Sequence, residues 1–234
     1  MKLKLYAIIT ARKNSKGIKN KNLKKINNDD LVTNQIKILK KSGIAKIFIS
    51  SDSNKILNKA NKFNNIFKIK RPKKFSNDNS PSELAIFHLL KYLKFKNDLP
   101  DFLFISQPTS PFLTIANIKK SISILKKRTE LGSLISIVKV PHKYHFENQR
   151  ILKEDNLIEF LFDRKNHTRQ SKIQTYVHGN LFIVSVKKFL KQKKILAEPI
   201  FSFVLNNNLE ALDIDEMYDL KLARVISKNK AKLL

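Results

Sequence analysis

Apolar runs of strand length alternate along the chain with segments of helical period. Leu3–Thr10 reads as a strand and is followed by a polar loop at Ala11–Asn22. Leu31, Gln35, Ile38 and Leu39 recur at helical spacing within Leu31–Lys41, and Gly43 is a natural stop. Lys46–Ser50 is a short β run. Asn54–Phe63 predicts a helix with Ile56, Leu57, Ala60 and Phe63 on one side, and Phe67–Ile69 predicts a further strand. Pro81–Lys94 opens with proline at a first turn, which its fixed φ suits, and should bury Leu84, Phe87, Leu90 and Leu93. Phe102–Ser106 is strand-like, Ile115–Leu125 helical, and Leu134–Val140 apolar and β-rich. Strands alternating with helices predict an α/β fold whose mostly parallel sheet carries helices on both faces.

The pattern weakens between Pro141 and Gln174, where a polar stretch holds one apolar cluster at Leu157–Phe162. This region is expected to be a flap. Strand character returns at Asn180–Val184 and Ile200–Leu205, and Met217–Ile226 predicts a last helix. There is no internal repeat and no low-complexity linker, so residues 1–234 are expected to form one domain with 141–174 inserted in it. Ligands of open parallel sheets bind at the carboxyl ends of the strands. The polar motifs of this chain fall largely after strand-like runs, which points to one shared cleft.

Composition narrows the classes. With 42% hydrophobic residues the 234-residue chain can build a real core. No apolar run approaches the roughly 20 residues of a membrane helix. The first run is too short for a signal-peptide core and reads as a buried strand, so a cytoplasmic protein is expected. The absence of cysteine excludes disulfides and Cys-ligated zinc. A net charge of +28 suggests a nucleic-acid binder. Forty of the 47 cationic residues are lysine, however, and they are scattered along the chain without forming a tract. Lysine, asparagine and isoleucine rise together, as in the products of AT-rich genomes. No nucleic-acid motif is present, and neither a specific nucleic acid nor a membrane is expected as a partner.

Five segments carry chemistry. Ala11–Asn22 directly follows the first strand, and its backbone N–H groups, Arg12, Ser15, Lys21 and neighbouring lysines could cradle a triphosphate. It lacks the glycine spacing of a P-loop or a dinucleotide fingerprint, and it could equally be a solvated lysine-rich loop. Arg71-Pro72 with Asp78-Asn79-Ser80 precedes a helix, where Asp and Ser also serve as caps. Gln107-Pro108-Thr109-Ser110-Pro111 is a stiff polar turn after a buried strand, suited to reading a sugar or simply to capping a helix. Asp213 and Asp215 stand at i and i+2, so in extended chain both carboxylates face one way. That suits Mg²⁺, which takes one or two carboxylates and completes its shell with phosphate and water. Arg169-Gln170, followed by Tyr176 and His178-Gly179-Asn180, offers a planar fork matched to a carboxylate. His88 sits among apolar residues and reads as structural. His142, His145, His167 and His178 lack a zinc-site spacing.

In order and spacing, these segments resemble the acylneuraminate cytidylyltransferase family, the CMP-sialic acid synthetases and their bacterial relatives. The family pattern A-R-x-x-S-K-G-x-x-x-K-N is matched from Ala11 to Asn22, and its S-T-D-S-like turn is similar to Ser50–Ser53. Its R-P…D-x-S stretch is matched by Arg71, Pro72, Asp78 and Ser80. Q-P-T-S-P stands unchanged at Gln107–Pro111, R-Q at Arg169-Gln170, and D-I-D-x-x-x-D at Asp213, Asp215 and Asp219. The chain departs from the pattern at Lys13-Asn14, where the family often has two glycines. It also has Leu113 where an arginine commonly stands, and His178-Gly179-Asn180 in place of Asn-Gly. The resemblance implies a Rossmann-like nucleotidyltransferase fold and a homodimer joined through the 141–174 flap. It implies CTP and an acidic nine-carbon sugar of the sialic acid type as substrates, with Mg²⁺ as cofactor. Arg12, Ser15 and Lys21 would then hold the CTP phosphates, Asn22, Arg71 and Ser80 would help hold the cytidine, and Ala11 would also belong to the nucleotide site. Gln107, Thr109, Ser110, Arg169, Gln170 and Tyr176 would line the sugar pocket, and Asp213 and Asp215 would bind the metal. Arg12, Lys21 and Asp215 are the expected catalytic residues. Pseudaminic, legionaminic and octulosonic acids remain alternative acceptors.

Overall fold

A computed structural model describes residues 3–15, 17–77, 80–162 and 172–229. The strands are β1 (Leu5–Thr10), β2 (Lys25–Ile26), β3 (Asp29–Asp30), β4 (Lys46–Ser51), β5 (Ile66–Lys70) and β6 (Phe102–Ser106), then β7 (Ser133–Lys139), β8 (Arg150–Leu152), β9 (Ile158–Phe160), β10 (Tyr176–Ser185) and β11 (Ile200–Val204). The α-helices are α1 (Leu31–Lys41), α2 (Asn54–Leu57), α3 (Ser82–Phe95), α4 (Ile115–Lys127), α5 (Val186–Gln192) and α6 (Met217–Lys228). Seven strands form one sheet in the order β11-β7-β10-β6-β1-β4-β5. Six run the same way, and β10 alone is antiparallel to its neighbours β6 and β7.

Side-chain alternation splits the core between the two faces. Ala7 and Ile9 of β1, with Ile47, Ile49 and Phe104, pack under Val32, Ile36 and Leu39 of α1 and Ile118 and Leu125 of α4. Tyr6 and Ile8, with Phe48, Leu103 and Ile105, pack under Ile86, Leu89 and Leu93 of α3 and Phe189 of α5. Helices on both faces match the expectation. Local signals account for the helix ends. The Asp30 side chain accepts from Thr33 N and caps α1. Gly43 follows the end of that helix at φ +82°, a conformation L side chains rarely adopt.

Some boundaries differ from the periodicity. The expected helix Asn54–Phe63 is α2 followed by a 3-10 turn at Asn58–Lys62. Asparagines at 54, 58 and 61 compete for backbone hydrogen bonds and weaken a continuous α-helix. In α3 the fully buried positions are Ala85, Ile86, Leu89, Leu90 and Leu93, while Leu84 and Phe87 are only half-buried. Within the 141–174 region, β8 and β9 form a small antiparallel hairpin. Among the described residues, no helix is long and apolar enough to cross a membrane.

At the amino end of the sheet, Asp98 accepts from Lys4, Lys46 and the Tyr6 hydroxyl. The Lys4 hydrogen bond, followed by those from Lys46 and Tyr6, holds its carboxyl well below the usual carboxylate range. A depressed folded-state pKa adds stability that is present above the ordinary value of about 4 and is lost as pH falls through the lower one. Asp98→Asn should therefore lower the melting temperature at pH 7. The gap from the parent should shrink progressively below about pH 4. Calorimetry across pH 2–7 checks this, and a gap constant with pH would contradict it.

Candidate active site

The carboxyl ends of β1, β4, β5 and β6 lie at one edge of the sheet, and the loops that follow them meet there. A cavity of about 670 Å³ opens among them. Its lining brings together Arg12, Ser15, Lys21 and Asn22 from the first loop, Arg71 and Ser80 from the third, and Gln107 and Thr109 from the fourth. Asp213 and Asp215 close it from the segment before α6. Ten of the expected site residues thus share one cavity, although more than 200 positions separate the first from the last.

The remaining expected residues lie elsewhere. Ala11 is buried with its N–H on Ser50 O at 3.1 Å, and Ser110 is buried behind the turn with its N–H on Gln107 O at 3.1 Å. Neither is in the cavity lining. A small residue beside the core and a hydroxyl inside a tight turn are both drawn inward. Tyr176 lies exposed at the start of β10 opposite Lys139 of β7 and outside the lining. Arg169, Gln170 and Asp78 lie outside the described residues.

Packing, hydrogen bonds and an ion pair together seat the acidic pair. Ile214 is fully buried between the two aspartates in a cluster with Ile18, Leu31, Phe112 and Leu220, so the carboxylates on either side are turned away from the core. Its N–H donates to Thr109 O at 2.8 Å. Lys21 Nζ lies 2.9 Å from Asp215 Oδ1. Asp219, the last acid of the D-I-D-x-x-x-D pattern, is structural: its carboxylate accepts from the N–H groups of Asp215 (3.0 Å) and Glu216 (2.8 Å) and caps α6. Asp213 opens onto the cavity, yet the surrounding protein displaces enough water to raise its pKa. The nearby Asp215 adds to that rise, while the Thr109 hydroxyl and Lys21 oppose it.

The cationic wall is held from behind. Arg71 is buried, and burial lowers its pKa against the favourable charge of Asp52, with Arg12 pushing the same way as burial. Arg71 Nη2 donates to Ser50 O at 3.4 Å, and its buried Nε has no hydrogen-bond partner among the described residues. A buried guanidinium with a spare donor is ready to take a ligand oxygen. Arg12 donates to Asn77 O at 3.1 Å, and the Arg12 carbonyl accepts from Asn22 Nδ2 at 2.9 Å.

Sequence reasoning missed Gln35 as a support for the site. It sits fully buried on the core face of α1, and its Nε2 donates to the carbonyls of Gln107 (3.0 Å) and Ser110 (3.3 Å), fixing the Q-P-T-S-P turn. A glutamine at a core-facing helical position was the available signal. A second cavity, of about 610 Å³, lies across the first loop. Asn22 lines both, but the second is walled by Lys13, Lys19, Lys55 and Lys70 with Asp52 and does not reach the carboxylate pair.

The cytidylyltransferase family model matches residues 6–231. The chain belongs to the cytidylyltransferase family. It is 25% identical over 232 residues to the N-acylneuraminate cytidylyltransferase of Escherichia coli O18:K1:H7, a match covering 98% of this chain and 54% of that one. The chain thus spans about half the length of that relative. It is 27% identical over 230 residues to the pseudaminic acid cytidylyltransferase of Campylobacter jejuni serotype O:23/36, covering 97% of each. It is also 26% identical over 220 residues to the CMP-N,N'-diacetyllegionaminic acid synthase of Legionella pneumophila, covering 93% of each. In fold, this cytidylyltransferase is similar to the CMP:2-keto-3-deoxy-manno-octonic acid synthetase solved with CTP. The TM-score is 0.69 at 12% identity, over 97% of this chain and 99% of that one.

Proposed function

We propose that this cytidylyltransferase transfers CMP from CTP to the anomeric hydroxyl of an acidic nine-carbon sugar of the sialic acid type and releases pyrophosphate. The observation that carries the reading is the single cavity in which Arg12, Lys21 and Arg71 face Asp213 and Asp215 beside the Gln107–Thr109 turn. A polyanion needs the cations, a metal needs the carboxylates, and a polyol needs the fixed polar turn.

In this reading, Arg12, Ser15 and Lys21 bind the triphosphate and neutralise charge on the departing pyrophosphate. Arg71, Asn22 and Ser80 hold the cytidine. Gln107 and Thr109 orient the sugar so that its anomeric oxygen attacks the α-phosphorus as the bond to the β-phosphate oxygen breaks. Most of the rate gain comes from positioning two bound substrates. Arg169 and Gln170 are assigned to the sugar pocket through the resemblance, and the planar fork of Arg169 suits the sugar carboxylate. The carboxylate pair suits Mg²⁺. Both side chains are hard oxygen donors on one cavity, and Asp215 already holds a cation in the Lys21 ammonium. Among the described residues no group of three or more metal-ligating side chains exists, so phosphate and water would complete the shell. When bound there, magnesium supplies Lewis-acid stabilisation of charge on the phosphates.

A different acidic acceptor is the second reading, favoured by the pseudaminic relative that is matched over 97% of both lengths. Pyrophosphate release measured with CTP against N-acetylneuraminic, pseudaminic, legionaminic and octulosonic acids ranks the acceptors by kcat/KM. Highest turnover with an eight-carbon acid would overturn the nine-carbon assignment.

The same proposal includes a homodimer. Leu152 of β8, and Leu157 and Ile158 at β9, are each about two-thirds exposed, and Phe160, Leu161 and Phe162 are also exposed. A three-residue-per-strand hairpin cannot bury such a set by itself. Light scattering should give twice the chain mass, and a double Leu157→Asp, Ile158→Asp change should give the monomer. A parent chain that is monomeric at assay concentration would contradict this.

A further inference from the structure

Residues 205–215 form a strap that carries the acidic pair from the sheet edge to the cavity. It crosses the carboxyl edge of the sheet strand by strand. Leu205 N donates to Ile137 O of β7 at 2.8 Å. The Glu210 carbonyl accepts from Asn180 Nδ2 of β10. Ile214 N reaches Thr109 O after β6, and Asp215 reaches Lys21 after β1. Glu210 also holds the strap by its side chain. Its Oε2 accepts from the Thr114 hydroxyl at 3.2 Å and from Asn117 Nδ2, both at the N-terminal end of α4. Thr114 is the N-cap of that helix, and the Q-P-T-S-P turn runs directly into it.

We propose that Glu210 is a positioning residue for the Asp213–Asp215 pair. The strap is tied twice to one rigid piece, the turn-plus-α4 unit. Glu210 grips α4 on one side of Asp213, and Ile214 grips Thr109 on the other. Two attachments to that unit fix the short stretch between them, whereas without the Glu210 carboxylate the unit would hold it through Ile214 alone. A carboxylate suits the post because it accepts charge-assisted hydrogen bonds and sits at the positive end of a 13-residue helix. Glu210 is not in the cavity lining, so it acts through the strap and touches no substrate. The functional half of this inference rests on the proposed reading of the acidic pair, and the structural half does not.

The test uses the full chain in two measurements. In protein without metal or nucleotide, amide hydrogen exchange at Ile214 should rise on the order of tenfold in Glu210→Ala, the loss expected when a charge-assisted anchor is removed. Amides in the middle of α6 should keep the parent rate. In turnover, the magnesium concentration at half-saturation should rise and kcat should fall, with the CTP KM within about twofold, since no nucleotide-binding group has moved. Glu210→Gln, whose amide oxygen still accepts both bonds, should restore most of each. Should Glu210→Ala fold poorly, Asn117→Ala removes one donor while Thr114 still caps α4, and it should shift both readouts the same way. Unchanged Ile214 exchange in the alanine variant, or parental magnesium dependence beside raised exchange, would overturn the inference. A parent chain without CTP turnover, but with Ile214 exchange raised in the variant, would sink the proposed function and leave the anchoring role standing.

Discussion

Asp215→Asn is expected to lower kcat by roughly 10²–10³-fold at matched magnesium, the scale seen when one preorganised charge contact to a transition state is removed. The KM for CTP should stay level or fall. Asp215 lines the cavity and neutralises Lys21 at 2.9 Å, and in the proposed function it serves the phosphates as well. Asparagine keeps the shape but removes the charge, which leaves the Lys21 ammonium free for the triphosphate. Binding of CTP is therefore not the property that suffers. The fold should hold, because the side chain is largely exposed while the backbone N–H on Asp219 and the buried Ile214 beside it are untouched. Lys21→Gln should show the opposite split, with the CTP KM raised. Steady-state kinetics with each substrate and magnesium varied in turn separates the two. Full activity of Asp215→Asn would remove the carboxylate pair from the site.

Gly17→Ala should be nearly as damaging, for a steric reason. A Cβ at Gly17 would fall on the backbone carbonyl of Asp215, close to Glu216 as well. Backbone cannot rotate aside as a side chain can, so either the first loop or the strap must move. The neighbouring Ile18 and Ile214 share one buried cluster, and both would lose their seat. A stability loss of about 1–3 kcal/mol, as for overpacking, should accompany a larger loss of turnover. Gly43→Ala is the control. Gly43 also resists substitution, through φ +82°, but a Cβ there would meet none of the described residues and it lies outside the cavity lining. It should cost about 1–2 kcal/mol for the left-handed backbone and leave kcat intact. Thermal melts with kinetics on both variants decide the matter. Parental activity in Gly17→Ala would mean that the loop and the strap do not need each other.

How far these features were legible in the sequence depends on how local they are. The strands were plain, because a two-sided sheet makes them near-continuous apolar runs. Phe102–Ser106 is the clearest case, and the expected and observed bounds agree. The buried face of α3 was not plain. Leu84, Ala85, Ile86, Phe87, Leu89, Leu90 and Leu93 cover too wide an arc for spacing to choose among them. The start of β10 was missed because Tyr176, Val177 and His178 are all exposed and lack alternation. The ingredients of the site were readable as motifs, since each is a short stretch after a strand. Their mutual contacts were not. Lys21 and Asp215 stand 194 residues apart, and Asn117 and Glu210 stand 93 apart. Neither pair leaves a periodic trace. Leu113, where an arginine is common in the family, is buried beside Ile118 and faces the core, so that departure concerns packing.

The bond that would join CMP to an acidic sugar can itself be observed. ³¹P NMR of the purified chain with CTP, magnesium and N-acetylneuraminic, pseudaminic or legionaminic acid should show the three CTP signals replaced by one phosphodiester resonance and one of pyrophosphate, in equal molar amounts and only when sugar is present. Unchanged CTP with every acidic sugar, or conversion to CDP and inorganic phosphate regardless of sugar, would contradict the account.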